Sequence, residues 1–234
     1  MITRPLRATL ALFAAAALPA VAGAQTVSAT DGTRYVVRGA VEETATGASM
    51  SGMRLTATFA DNTTLAGTWG FLSNDFFGPF YGVQFDDRLR VRHRNTDTFF
   101  PPYWNVRQLG GARVTSLTFD GAPGNTVFDR SFGFLGLQEG TPGSSLGTDF
   151  FALLSGTSVQ YTDVVSVAPN EPVGDLYARV TVNFANPLPN GGANFLLDTD
   201  RVEGRIGVVP EPSTYALMGT GLAGLVAAAR RRRA

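Results

Sequence analysis

Apolar and polar positions alternate with a period of two along much of this chain, which predicts strands with one buried face. The clearest run sets Leu176, Ala178, Val180, Val182 and Phe184 against Tyr177, Arg179, Thr181 and Asn183. Met53, Leu55, Ala57 and Phe59 alternate with Arg54, Thr56 and Thr58. Asp61-Asn62 then supplies turn chemistry and residues 64–71 return, which predicts a hairpin. Further strands are expected over 35–41, 81–85, 88–93, 113–119, 150–154, 158–167, 193–197 and 202–208. No ten-residue stretch between the termini has helical period, and no repeat of fixed period is present. The chain therefore reads as all-β, a single β-sandwich of jelly-roll or concanavalin-like type with about ten short strands. Two long loops are expected, 96–108 around Pro101-Pro102 and 133–147 around Thr141-Pro142-Gly143. Loops of that length on a sandwich are where a binding site belongs.

Both ends break the alternation. Arg4 and Arg7 precede an apolar stretch from Leu10 to Leu18, and Pro19 ends it. Ala22-Gly23-Ala24 then forms a small-x-small cleavage site before Gln25. Residues 1–24 have the features of a secretory signal peptide, cleaved after export through the Sec translocon. At the other end, Val209-Pro210-Glu211-Pro212-Ser213 is short, acidic and stiffened by two prolines. Residues 214–229 are uncharged and apolar, with Ser213 and Thr214 as N-cap oxygens. Tyr215, Leu217, Leu222, Leu225 and Val226 are the side chains expected to hold a membrane. Sixteen helical residues reach about 24 Å, somewhat short of a roughly 30 Å hydrocarbon core. Arg230, Arg231, Arg232 and Arg233 follow, and the positive-inside rule assigns them to the cytoplasm. The chain thus divides into a signal peptide (1–24), a sandwich body (25–207) and a tail (208–234).

The tail resembles the PEP-CTERM protein-sorting signal, also called an ice-binding protein C-terminal domain. Val209 to Leu217, Gly219-Thr220-Gly221-Leu222 and the arginine block carry the resemblance, in order. It implies an exported protein, transiently anchored in the inner membrane with its C-terminus in the cytoplasm. An exosortase, a membrane cysteine transpeptidase or protease, would then process it near the motif. The final location implied is the cell envelope or the extracellular matrix of a bacterium that makes exopolysaccharide.

Composition narrows what the body can do. The chain has no cysteine, which excludes disulfides, a thiol nucleophile and thiolate metal sites. The formal charge of zero conceals an acidic body, in which thirteen arginines against eighteen Asp and Glu leave about −5. Nucleic acid is a poor partner for such a surface. His93 is the single histidine and continues the alternation of Leu89 and Val91, so a strand role outweighs a catalytic one.

Three groups remain as candidate binding chemistry. Arg88, Arg90, Arg92 and Arg94 share one face of a strand. They could grip an anionic polysaccharide or phosphate, or pair with acids such as neighbouring Asp86 and Asp87; the acidic body favours pairing. Asp120, Asn125 and Asp129 cluster in a glycine-containing loop suited either to structural calcium or to Asx turns. Phe99, Phe100, Tyr103 and Trp104 flank the double proline, and Tyr103 and Trp104 could stack on sugar rings if exposed. The alternative is that they plug the core.

The leading expectation is a structural or adhesive sandwich without catalysis, cofactor or assigned metal. A carbohydrate-binding module for exopolysaccharide is the alternative. A glycoside hydrolase would need two converging carboxylates, and an ice-binding surface would need a threonine ladder beyond Thr56 and Thr58.

Overall fold

A computed structural model describes residues 26–37, 41–42, 45–96, 98, 104–130, 150–152, 154, 156–168, 175–184, 188, 191–209 and 212–231. In order, the elements are β1 (Thr26–Thr30), β2 (Tyr35–Val37), β3 (Val41–Glu42), β4 (Arg54–Phe59), β5 (Thr64–Thr68) and β6 (Gly70–Asp75). Then come β7 (Gly78–Phe85), β8 (Leu89–Arg94), β9 (Trp104–Gln108), β10 (Val114–Asp120), β11 (Thr126–Asp129) and β12 (Phe151–Ala152). The chain continues through β13 (Thr157–Val167), β14 (Leu176–Phe184), β15 (Ala193–Leu196), β16 (Thr199–Val202) and β17 (Ile206–Val208), and ends in α1 (Pro212–Arg231).

The strands form a β-sandwich. One sheet has 11 strands, with the path β17-β2-β13-β14-β10-β4-β5 and β1, β3, β11 and β16 attached to it. The other has 6, in the order β12-β15-β9-β8-β7-β6. The alternation read in the sequence is an alternation of burial. β4 buries Leu55, Ala57 and Phe59, and β8 buries Leu89, Val91 and His93 while its arginines reach the outer face. These inward residues meet Leu117 and Phe119 of β10, Val180 and Val182 of β14, and Trp104 and Phe195 in one apolar core between the sheets. The predicted β4–β5 hairpin is present with Ala57 opposite Leu65, and Asn62 takes the left-handed turn position at φ 64.

Several departures have physical reasons. The return strand from Thr64 stops at Thr68, because the chain changes sheets there. Trp69 is buried at the crossing, with Nε1 donating to the Gly47 carbonyl at 2.8 Å. The strand expected at 202–208 divides in two, and of that expected at 35–41 the described residues form β2 and the start of β3, with different partners. Ile206 pairs with Val37 and Val202 with Val41, and Gly204, at φ 103, turns the chain between these two pairings. β11 was not legible because all four of its residues are buried, which leaves no alternation to see. β9 occupies the end of the expected 96–108 loop, while the expected 133–147 loop lies outside the described residues.

β13 is the longest strand and changes partner midway. Its first half pairs in parallel with β1 and its second half in parallel with β2, departures from a wholly antiparallel sandwich. Asp163 sits at the hand-over with φ 67. Its Oδ1 accepts from the Thr33 amide at 2.9 Å and its Oδ2 pairs with Arg179 at 3.0 Å. A second, smaller apolar cluster, including Val37, Val127, Val165, Leu176 and Val202, closes this end of the sheet.

Candidate functional site

The tail begins on the sheet itself. β17 ends at Val208, and the Val209 amide donates to the Arg34 carbonyl at 2.8 Å. α1 starts at Pro212, where a missing backbone N–H costs nothing because the first turn has no intrahelical acceptor for it. Its 20 residues span about 30 Å and run into the arginines. Leu217, Met218, Leu222 and Leu225 are 66–78 % exposed, and every α1 side chain that is described stands in the open. The described leucines and Met218 of the helix are therefore left uncovered by the body.

The expected apolar segment is helical, but the described residues do not by themselves make a membrane-crossing span. No helix among the described residues is long and apolar enough to cross a membrane. Gly219, Gly221, Gly224 and Thr220 dilute the leucines, so the segment is helical without being strongly hydrophobic. Of the residues named for sorting and cleavage, Ala22, Ala24, Gln25, Pro210, Glu211, Arg232 and Arg233 lie outside the described residues, as do the side chains of Pro212, Ser213, Tyr215, Val226 and Arg230.

The arginine stripe exists as predicted, but its partners differ. Asp86 and Asp87 lie in the β7–β8 turn and pair with none of it. Arg94 instead takes a two-point grip on Asp75, with Nη1 and Nη2 each at 3.0 Å, and Arg88 reaches Thr63 Oγ1 at 2.7 Å and Asp61 at 3.5 Å. The Asp75 carboxyl is held below its ordinary pKa chiefly by the Arg94 hydrogen bonds, and that of Asp61 chiefly by the Thr63 hydroxyl. Arg92 lies 4.0 Å from the centroid of Phe80 and donates from Nε to Asn105 at 3.1 Å. β9 adds Arg107, directly opposite Arg90. Sequence reasoning missed Arg107 because the double proline disguised its strand as loop.

Trp104 is corrected. It is fully buried, its Nε1 donates to the Leu197 carbonyl at 2.9 Å, and its ring packs against Trp69, His93, Phe119 and Phe195. A ring so enclosed is not free to stack on a sugar. Tyr103, Phe99 and Phe100 lie outside the described residues. His93 faces inward at 1 % exposure, with Nδ1 donating to the Arg94 carbonyl at 2.7 Å.

The candidate calcium residues point to separate tasks. Asp120 pairs with Arg179 at 3.7 Å, exposed Asn125 takes a left-handed cap position at φ 50, and Asp129 is buried on β11. Among the described residues no group of three or more His, Asp or Glu side chains is placed to hold a metal ion. Asn125 does the turn work that Asn chemistry favours, and its amide donates to Ala122.

Comparison with known proteins adds one positive finding. The family model for the PEP-CTERM protein-sorting motif matches residues 208–233. No curated protein and no solved structure matches the chain. The matched residues begin at the last residue of β17 and take in the exposed helix and the arginines that follow it, the same three parts whose order marks such a tail in the sequence. The chain therefore carries a PEP-CTERM protein-sorting motif at residues 208–233, and that motif supports exosortase-type sorting of an exported protein.

Proposed function

We propose that the helix is a temporary membrane handle, that an exosortase cuts near Val209–Ser213, and that the body is left in the envelope or extracellular matrix as a structural or adhesive module without catalysis. The arginines at the C-terminus would face the cytoplasm until the cut. The observation that carries this reading is the position of the matched tail. Its helix leaves its leucines uncovered by the body, as suits a lipid environment, and it joins the last strand with almost no linker. Processing at the motif would release an intact sandwich.

The non-catalytic reading is supported by how the reactive side chains are employed. His93 is enclosed in the core, Asp120 and Asp163 flank Arg179, and Asp61 and Asp75 hold Arg88 and Arg94. The test of the sorting step is mass spectrometry of extracellular protein. A mature C-terminus within or just after 209–213 is expected. Peptides running intact to Arg233 in the matrix would end the processing claim.

A further inference from the structure

We propose that the outer face of the six-stranded sheet, centred on Arg90, Arg92 and Arg107, binds an acidic polysaccharide. The inference rests on the adhesive reading of the body and supplies its ligand class. Arg90, Arg92 and Arg94 recur every second residue on β8, which spaces them about 7 Å apart along the strand. Arg107 of β9 is the direct cross-strand neighbour of Arg90. Like charges in that relation destabilise a sheet. Asp75 satisfies Arg94, but among the described residues neither Arg90 nor Arg107 has an ion pair, and the buried Arg90 Nε has no hydrogen-bond partner. An acidic body thus keeps an uncompensated basic row on one face, and a bound polyanion would relieve the repulsion.

The electrostatics agree with the geometry. Burial and then the charges of Arg90, Arg94 and Arg107 depress the Arg92 pKa, with Asp75 the carboxylate acting against them. Amide side chains line the same face. Gln84 is opposite Arg90, and Asn105 is opposite Arg92 with its Nδ2 donating to Asn194 at 2.9 Å. Amides beside guanidiniums suit hydroxyls beside carboxylates.

At the end of the row the β6–β7 turn presents Phe76 and Phe77, 95 % and 78 % exposed, with rings 5.3 Å apart and near perpendicular. Asp75 Oδ1 accepts from the Phe77 amide at 2.8 Å, which ties the aromatic tip to the residue that grips Arg94. Exposed ring faces beside a cationic row fit a polymer offering both sugar rings and carboxylates. A lipid surface fits less well. With Phe76 and Phe77 inserted, Arg90 would stand four residues, about 13 Å, further along β8 than Arg94 and outside the headgroup layer.

The test is affinity electrophoresis of the full chain in neutral detergent, through native gels containing polygalacturonate or neutral dextran. Retardation by polygalacturonate alone is expected, and it should weaken as salt is raised. The R90Q/R107Q double variant should lose about tenfold or more in apparent affinity while its melting temperature holds or rises, because a repulsive pair has been removed. F76A/F77A should also weaken retardation while leaving its salt dependence intact. Unchanged retardation of R90Q/R107Q would overturn the proposal. So would equal retardation by dextran, or capture by vesicles containing phosphatidylglycerol with none by polygalacturonate. New reducing ends released from the polymer would count against the adhesive reading yet support binding at this face.

Discussion

Replacing Trp104 with alanine discriminates between a core residue and a sugar platform. The side chain is fully buried, and burying a tryptophan removes roughly 200 Å² from water, about 5 kcal/mol at 25 cal/mol per Å². Measured Trp→Ala substitutions in cores cost about 3–5 kcal/mol, and this site belongs at the upper end. Four aromatic neighbours surround the cavity, and the Leu197 carbonyl, in a residue with 0 % exposure, loses the indole N–H donor. For a body of this size each kcal/mol moves the melting temperature by about 2–4 °C, so W104A should melt about 10–20 °C lower. W104F, which keeps most of the ring contacts but not the donor, should cost about 1–3 kcal/mol. Thermal denaturation followed by far-UV circular dichroism reads both. A shift of under about 3 °C for W104A, together with loss of glycan retardation, would refute the core assignment and restore Trp104 to a surface role.

Two further perturbations probe the sheets. Gly82 is paired with Arg92, and a Cβ there would collide with the Val91 carbonyl and the Arg92 backbone, so G82A should destabilise by about 3 kcal/mol or more, read as a drop in urea midpoint at unchanged slope. Asp175 is 3 % exposed, and burial raises its carboxyl above the ordinary value although its Oδ1 accepts from the Leu176 amide. The folded chain then binds more protons than the unfolded chain between the two pKa values. Its stability on this account rises as pH falls through that window and is lost as pH climbs out of it. D175N removes the penalty, so the melting temperature of the variant minus that of the parent should increase from pH 4 to pH 7; a flat difference would show that Asp175 does not titrate as its burial requires.

The sequence by itself determined what local periodicity and local composition can carry. Alternation in 54–59 and 176–184 reports which face is buried, because a strand points successive side chains to opposite sides whatever it packs against. The tail was equally legible, since Val209–Ser213, the apolar run and the arginines are contiguous and need no tertiary context. Everything that depends on which strand lies beside which was decided only by the fold. Trp104 next to Pro101-Pro102 looks like loop, and becomes core because β9 pairs between β8 and β15. Asp75 stands nineteen residues from Arg94, and the β6–β7–β8 meander brings them together while leaving nearby Asp86 and Asp87 in a turn. Arg107 meets Arg90 through the same β8–β9 register. Cross-strand neighbours follow from hydrogen-bond register between distant segments, and a single chain read in order carries the faces of its strands but not their pairing.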